Sequence, residues 1–232
     1  MSIIERLVAE RVHNWATTES RHKRNKDALI EWPVISISRK FGARGRTLAS
    51  RLSELIGFDV WDKTLLSAIA EEAGADEKVL SSLDERHRNM IDDVMVGTFM
   101  GTKHSNTHYF RSLLRVVQTI GLHGKGIIVG RGSNYIIKAP SILRVRLVCE
   151  DHKRAAYVAE REGISEKEAM RLMKERDQER AEFAQHYFKR DIDAPEDYDL
   201  VLNSGCFDID QLAQIVLEAY EQKIGRKVPR VG

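Results

Sequence analysis

Residues 34–56 read VISISRKFGARGRTLASRLSELI, and the succession of residue types along them decides the fold. Pro33 precedes a short β-branched run, Val34-Ile-Ser-Ile-Ser38, which predicts a strand. A glycine-bearing loop follows, Arg39-Lys-Phe-Gly42-Ala-Arg-Gly45-Arg-Thr47, and then a helix from Leu48 to Ile56 that Gly57 ends. A loop that cradles phosphate needs glycines so that backbone N–H groups can turn inward, and a following helix whose N-terminus is electropositive. Gly42, Gly45 and the helix opening near Thr47 supply both, and the Thr47 hydroxyl is a candidate ligand for Mg²⁺. The full GxxxxGK[ST] pattern is absent: Arg46 stands where it has Lys, and no glycine lies five residues before Gly45. An ordinary glycine turn between strand and helix has the same spacing, so spacing alone leaves both readings open.

Further strands and helices alternate along the chain. Phe58-Asp-Val-Trp61, Gly126-Ile-Ile-Val-Gly130, Leu143-Arg-Val-Arg-Leu-Val148 and Asp199-Leu-Val-Leu-Asn203 read as strands. Helical patterns cover 3–15, 76–95, 109–123, about 150–162, 166–189 and 208–223, and Ser165-Glu-Lys-Glu168 is a capping-box pattern. The stretches 17–26 and 97–108 lack a period and read as a solvated connection and a loop or lid. Strands separated by helices predict an α/β protein with a parallel sheet. Ligands of such sheets sit at the C-terminal strand ends, where the Gly42 loop, Asp62, Arg131 and Asn203 fall. The expected organisation is an N-terminal helical extension over 1–31, one domain over 32–225 and a basic, frayed tail over 226–232.

The 232 residues carry 37 Lys+Arg against 35 Asp+Glu, a balance that by itself calls for neither a nucleic-acid nor a membrane partner. No apolar run approaches the ~18 residues of a membrane span, and Glu5, Arg6, Glu10 and Arg11 interrupt the N-terminal pattern that a signal peptide would need. Cys149 and Cys206 stand outside any metal-ligand spacing, which suits two reduced thiols in a cytoplasmic protein.

Arginines are the other concentration of chemistry. Arg39, Lys40, Arg44, Arg46 and Arg51 surround the loop, Arg131 lies between two glycines at a strand end, and Arg154, Arg161, Arg171, Arg176 and Arg180 lie on late helices. Phosphoryl transfer moves a highly charged group, and catalysis there is largely positioning and neutralisation by cations. The planar fork of Arg binds phosphate oxygens two at a time. Asp177 and Arg180, three apart, share a helix face as either a surface pair or part of a lid. His104 and His108 lack the glutamate of a zinc-protease helix, and neither a GxSxG elbow nor a GxGxxG fingerprint occurs.

Taken together, ISISRKFGARGRTLA, FDVWDKTLL, IIVGRGSNYII, EREGISEKEAMRLMKERDQER and YDLVLNSGCFDIDQL resemble the cytidylate kinase-like family, from about Val34 to Lys223. The resemblance implies a three-layer P-loop NTPase fold: a parallel sheet of about five strands, flanking helices and a helical lid. It implies transfer of the γ-phosphoryl of ATP to CMP or dCMP with Mg²⁺. Carried onto this chain, it makes Arg39, Gly42, Ala43, Arg44, Gly45, Arg46 and Thr47 the ATP-phosphate loop, with Thr47 on the metal. Asp62, Arg131, Arg176 and Asp177 fall on the acceptor side, and Arg46, Arg131 and Arg180 become the catalytic cations. Asn203-Ser204 matches a strand end where relatives carry Asp-Ser. Aligned without gaps, Gly45 falls on the loop lysine, Arg44 on a glycine, and Val129 and Gly132 on two aspartates. These departures define the alternative, a nucleotide-binding regulatory or sensor protein on a kinase scaffold with little turnover.

Overall fold

The structure, a computed structural model, describes residues 32–71, 74–83, 87–89, 91 and 108–231, with positions 6, 9, 10, 12, 13 and 15 of the N-terminal segment. It divides into two units: residues 34–60 with 127–232, and residues 1–33 with 61–126. The expected connection at 17–26 and the loop at 97–107 lie outside the described residues.

The first unit is built on a five-stranded sheet in the order β2-β3-β1-β4-β5. Its strands are β1 (Ile35–Arg39), β2 (Asp59–Trp61), β3 (Gly126–Val129), β4 (Leu143–Val148) and β5 (Leu200–Asn203). β1 pairs in parallel with β3 and β4, and β4 with β5. Side chains alternate across a sheet, and β1 accordingly buries Ile35 and Ile37 completely while Ser36 and Ser38 belong to the other face. On that second face Ser36 and Ser38 are in register with Arg144 and Arg146 of β4. The short helix α5 (Ser133–Ile136) lies against it, with Ser133 Oγ 2.7 Å from Ser36 Oγ. Arg146 is almost fully buried and donates to Ser38 Oγ at 2.8 Å and to Asp193 Oδ1 at 2.7 Å.

Helix α1 (Gly45–Ile56) packs on β1, and α8 (Ile209–Ile224) packs on α1 and β4. α1 opens at Gly45, three residues before the expected Leu48: the apolar period begins at Leu48, but the helical backbone begins at the glycine. It ends as expected at Gly57, whose left-handed φ of 68° lets its N–H reach Ser53 O. Helices α6 (Asp151–Glu162) and α7 (Glu166–Phe188) form a hairpin around Ala155, Val158, Ala169 and Met173. The Ser165–Glu168 capping box is present in both directions.

The second unit contains α2 (Lys63–Glu71), α3 (Ala75–Leu80) and α4 (His108–His123), with α4 packed on the other two. The single helix expected over 76–95 is not formed. α3 stops at Leu80, and Ser81–Leu83 turn, with Ser81 and Ser82 hydroxyls bonding the carbonyls of Lys78 and Val79 in place of helix propagation. His108, read as loop, is the first residue of α4. Trp15 stacks on His123 with ring centroids 4.1 Å apart, and Ser82 Oγ lies 2.7 Å from His123 Nε2. Burial, with the nearby His87 adding, pushes the His123 pKa down to about 4. Among the described residues no helix is long and apolar enough to cross a membrane.

The frayed tail is also corrected. Glu221, buried in α8, accepts from Val228 N–H at 2.9 Å and from Lys227 Nζ at 2.8 Å, and pairs with Arg230 at 3.0 Å. Val231 N–H donates to Leu55 O at 2.9 Å. A basic sequence that looks like solvated chain is anchored because one buried carboxylate needs its cations. Although burial works to raise the Glu221 pKa, bonds from Lys227, the Val228 amide and Arg230 leave it below the usual carboxylate range. The stabilisation is therefore full above the unfolded-state carboxylate pKa and disappears as pH falls through the lower folded value. Glu221→Gln should cost about 1–3 kcal/mol near neutral pH, the penalty for buried donors losing a charged acceptor. Thermal unfolding across pH 2–7 should show the wild-type advantage shrinking below about pH 4.3; a pH-independent gap would contradict this role.

Candidate functional site

The loop after β1 is shaped by its own backbone bonds. Lys40 N–H continues the pairing with β4 by reaching Leu147 O at 3.0 Å, and Ala43 N–H closes a turn on Lys40 O at 3.2 Å. Gly42 turns the chain at φ 81° and Arg44 takes φ 57° before α1 begins. Leu48 N–H to Arg44 O, 3.0 Å, is the first bond of the helix. Arg44 offers no side-chain cap. The amides of Gly45, Arg46 and Thr47 therefore form the first turn of a twelve-residue helix, where no intrahelical carbonyl lies four residues back. Such a turn carries partial positive charge and suits an anion. Gly42 is also needed for close approach, since a Cβ there would stand 2.8 Å from Val158 Cγ2 and 3.2 Å from Arg154 O.

Phe41 is held on every side. Its N–H donates to Asp177 Oδ1 at 2.7 Å, and its carbonyl accepts from Arg154 Nη1 at 2.9 Å. The Arg161 and Arg180 guanidinium carbons lie 5.2 and 5.3 Å from its ring centroid, within cation–π range. Asp177 accepts from Arg154 Nη1 at 2.6 Å and from Arg180 Nη1 at 3.3 Å. Of the two readings left open for Asp177 and Arg180, an isolated surface pair is thereby excluded. Burial pushes the Arg154 pKa down, but Asp151 and Asp177 outweigh it and leave it raised. For Arg180 burial prevails over Asp177, and its pKa falls.

The remaining sequence-predicted residues are distributed as follows. Ala43 is buried in the turn, while Arg46 and Thr47 are exposed on the first turn of α1. Thr47 Oγ1 stands 3.4 Å from Tyr157 OH. The Arg44 guanidinium bonds the carbonyls of Ser204 and Phe207, so it ties the loop to the turn after β5. In that turn Asn203 Nδ2 donates to Glu150 Oε1 at 3.2 Å and Gly205 N–H to Asn203 Oδ1 at 3.0 Å. Bonds from its own backbone amide, from Asn203 and from Lys153 keep the Glu150 pKa low. Arg131 follows β3 with φ 55°, its guanidinium carbon 5.5 Å from the Phe183 ring centroid. Arg176 pairs with Glu179 at 2.7 Å on the exposed side of α7. Asp62 belongs to the other unit, where its Oδ1 accepts from Leu65 N–H at 3.0 Å and opens α2.

Sequence reasoning named Arg154 among the late-helix arginines but gave it no place in the site. It is 4% exposed and bonds Phe41, Asp151 and Asp177 at once. Its one legible signal was its place beside Ala155 and four residues before Val158, on the apolar side of α6. Among the described residues no group of three or more His, Cys, Asp or Glu stands together as a metal cage. Thr47 is thus the one sequence-predicted metal ligand on the loop, a hydroxyl that suits a cation completing its shell with phosphate oxygens and water.

The sheet order defines an α/β protein, and cationic residues follow β1 and β3 at the C-terminal strand ends, where sheets of this kind place their ligands. Residues 34–205 match the cytidylate kinase-like family. The chain is 30% identical to a cytidylate kinase of Methanothrix thermoacetophila over 190 residues, 80% of this chain and 96% of that one. It is 25% identical to a cytidylate kinase of Thermoplasma volcanium over 204 residues, 85% of this chain and 97% of that one. An uncharacterized protein from Eubacterium ventriosum shares the fold, with a TM-score of 0.65 at 21% identity, covering 83% of this chain and 99% of that one. The chain belongs to the cytidylate kinase-like family.

Breaking the Arg154 contact leaves a partly buried carboxylate facing the loop. Arg154→Met should cost about 3–5 kcal/mol and speed hydrogen exchange at the Phe41 amide. Unchanged exchange at that amide in a folded variant would show that Asp177 holds the loop without Arg154.

Proposed function

We propose that the protein transfers the γ-phosphoryl group of ATP to a nucleoside monophosphate, with CMP or dCMP as the favoured acceptor. The observation that carries this reading is the uncapped first turn of α1 at the end of β1, surrounded by arginines, in a chain related over most of its length to cytidylate kinases. The ATP phosphates lie over Gly42–Thr47, taking hydrogen bonds from main-chain amides. Thr47 would hold a Mg²⁺ ion, which when bound supplies charge neutralisation between neighbouring phosphate oxygens. Arg46 and Arg180 balance the charge of the transferring group, and Asp177 fixes the Arg180 head by the 3.3 Å bond to it.

Arg131 grips the acceptor phosphate and aims one of its oxygens in line with the γ-phosphorus. Arg176 and Asp177 complete the acceptor side. No general base is required, because the attacking oxygen is already anionic; the contributions are positioning and charge. The α6–α7 hairpin covers the loop through Phe41 and keeps water from competing as acceptor.

The alternative, a nucleotide sensor with little turnover, draws on Gly45, Val129 and Gly132 standing where a lysine and two carboxylates are expected. A coupled assay with ATP against CMP, dCMP, UMP and AMP separates the two. Turnover with a cytidine nucleotide supports the kinase, and ATP binding without turnover supports the sensor. In the kinase, Arg131→Ala should abolish transfer while calorimetric ATP binding persists. Full activity in that variant would remove Arg131 from the acceptor site.

A further inference from the structure

Gly45 occupies the place of the loop lysine, yet its backbone does not require glycine. It is the first residue of α1 and its φ is not left-handed. What crowds a larger residue there is a neighbouring side chain. A Cβ at position 45 would stand 3.0 Å from Arg39 Cγ and 3.3 Å from both Arg39 Cβ and Cδ. A change of χ1 would move Cγ and Cδ but not Cβ, so a side chain at position 45 would displace the Arg39 stem from this path. At the other end of the same side chain, a Cβ on Gly130 would overlap Arg39 Nη1 and stand 3.2 Å from Cζ. Arg39 therefore leaves the end of β1, crosses the first turn of α1 at Gly45 and brings its guanidinium to the end of β3, one residue from Arg131. Two glycines clear its path.

We infer that Arg39 is the cation that stands in for the missing lysine, reaching the transferring phosphoryl group from the strand side of the loop. This rests on the loop being the ATP-phosphate site, and it shifts the principal cationic role from Arg46 to Arg39. Arg46 is exposed, whereas Arg39 is half-buried between the helix N-terminus and the β3 end. A guanidinium there can bind two oxygens of the group in flight. In the step it serves, an acceptor-phosphate oxygen forms a bond to the γ-phosphorus. The bond from the γ-phosphorus to the β–γ bridging oxygen breaks, and ADP departs with that electron pair. Arg39 keeps its protons throughout and supplies charge alone.

The test uses the full chain with ATP, Mg²⁺ and the best acceptor of the nucleotide panel. Arg39→Met keeps the stem over Gly45 and removes the charge. It should lower kcat about 100-fold or more, with a smaller change in KM for ATP. Arg39→Lys should recover part of the loss. The double variant Arg39→Ala, Gly45→Lys frees the space over position 45 and returns an ammonium to the loop, and it should regain at least about tenfold over Arg39→Met. Gly45→Lys alone, with Arg39 in place, should be impaired. A turning-over wild type whose Arg39→Met variant keeps kcat within about threefold overturns the role of Arg39 and leaves the kinase reading intact. A wild type with no turnover on any acceptor overturns both.

Discussion

The carboxylate of Asp177 is the interaction on which the arrangement of the site depends. It receives the Phe41 amide at 2.7 Å, Arg154 at 2.6 Å and Arg180 at 3.3 Å, so one side chain of α7 joins the loop after β1 to both helices of the hairpin. Arg154 completes the grip by bonding the Phe41 carbonyl. Both backbone polar groups of Phe41 are thus satisfied by side chains rather than by a regular element, which allows an irregular loop to pass close to α6. The cost is desolvation of the Arg154 guanidinium, offset by two carboxylates and a carbonyl. Hairpin and loop are mechanically linked as a result. Moving α7 away from the loop withdraws the acceptor of the Phe41 amide, so opening the hairpin and loosening the loop are one event.

The sheet itself carries an unusual load. Central parallel strands are ordinarily apolar on both faces, but here one face of β1 and β4 presents Ser36, Ser38, Arg144 and Arg146. Arg144 caps the carbonyls of Asn134 and Ile137 at 3.1 Å each, ordering the segment after α5. Arg146 reaches Ser38 and Asp193, and Tyr198 OH donates to Ile192 O at 2.8 Å. The polar stripe substitutes for hydrophobic packing with directed bonds. Its effect is to pin the 192–198 segment and α5 beside the strand ends where the loop begins. A hydrophobic isostere could be as stable, but it would not fix the direction of those segments.

Much of the fold was legible because it rests on local signals. The runs read as strands match all five strands to within a residue or so, Gly57 ended α1 with a left-handed φ, and the capping box at Ser165 formed as read. What was not legible rests on contacts between distant segments. Arg154 reads as one more helical arginine, because burial is a property of what packs over it. The tail reads as frayed, because Glu221, which anchors it, lies on an ordinary amphipathic helix. Arg44 reads as a loop cation, yet its guanidinium is used by carbonyls more than 150 residues away in sequence. The helix start at Gly45 escaped because the apolar period that reveals α1 begins only once the helix faces the core.

The same distinction bears on how a phosphate loop is recognised. A sequence pattern asks which residue type occupies a given place on the helix, whereas the chemistry asks where a charged head group ends up. A long side chain separates the two, because its Cα and its charge are several bonds apart. At Gly45 the sequence lacks a cation, and the backbone there would accept one. The space is taken by the stem of Arg39, whose charge is carried onward to Gly130. A side chain at position 45 would crowd the stem of Arg39, so the absence of the one and the path of the other are linked by packing. On the proposed kinase reading the glycine marks a cation supplied from the adjoining strand, and the loop would keep its charge by a different route.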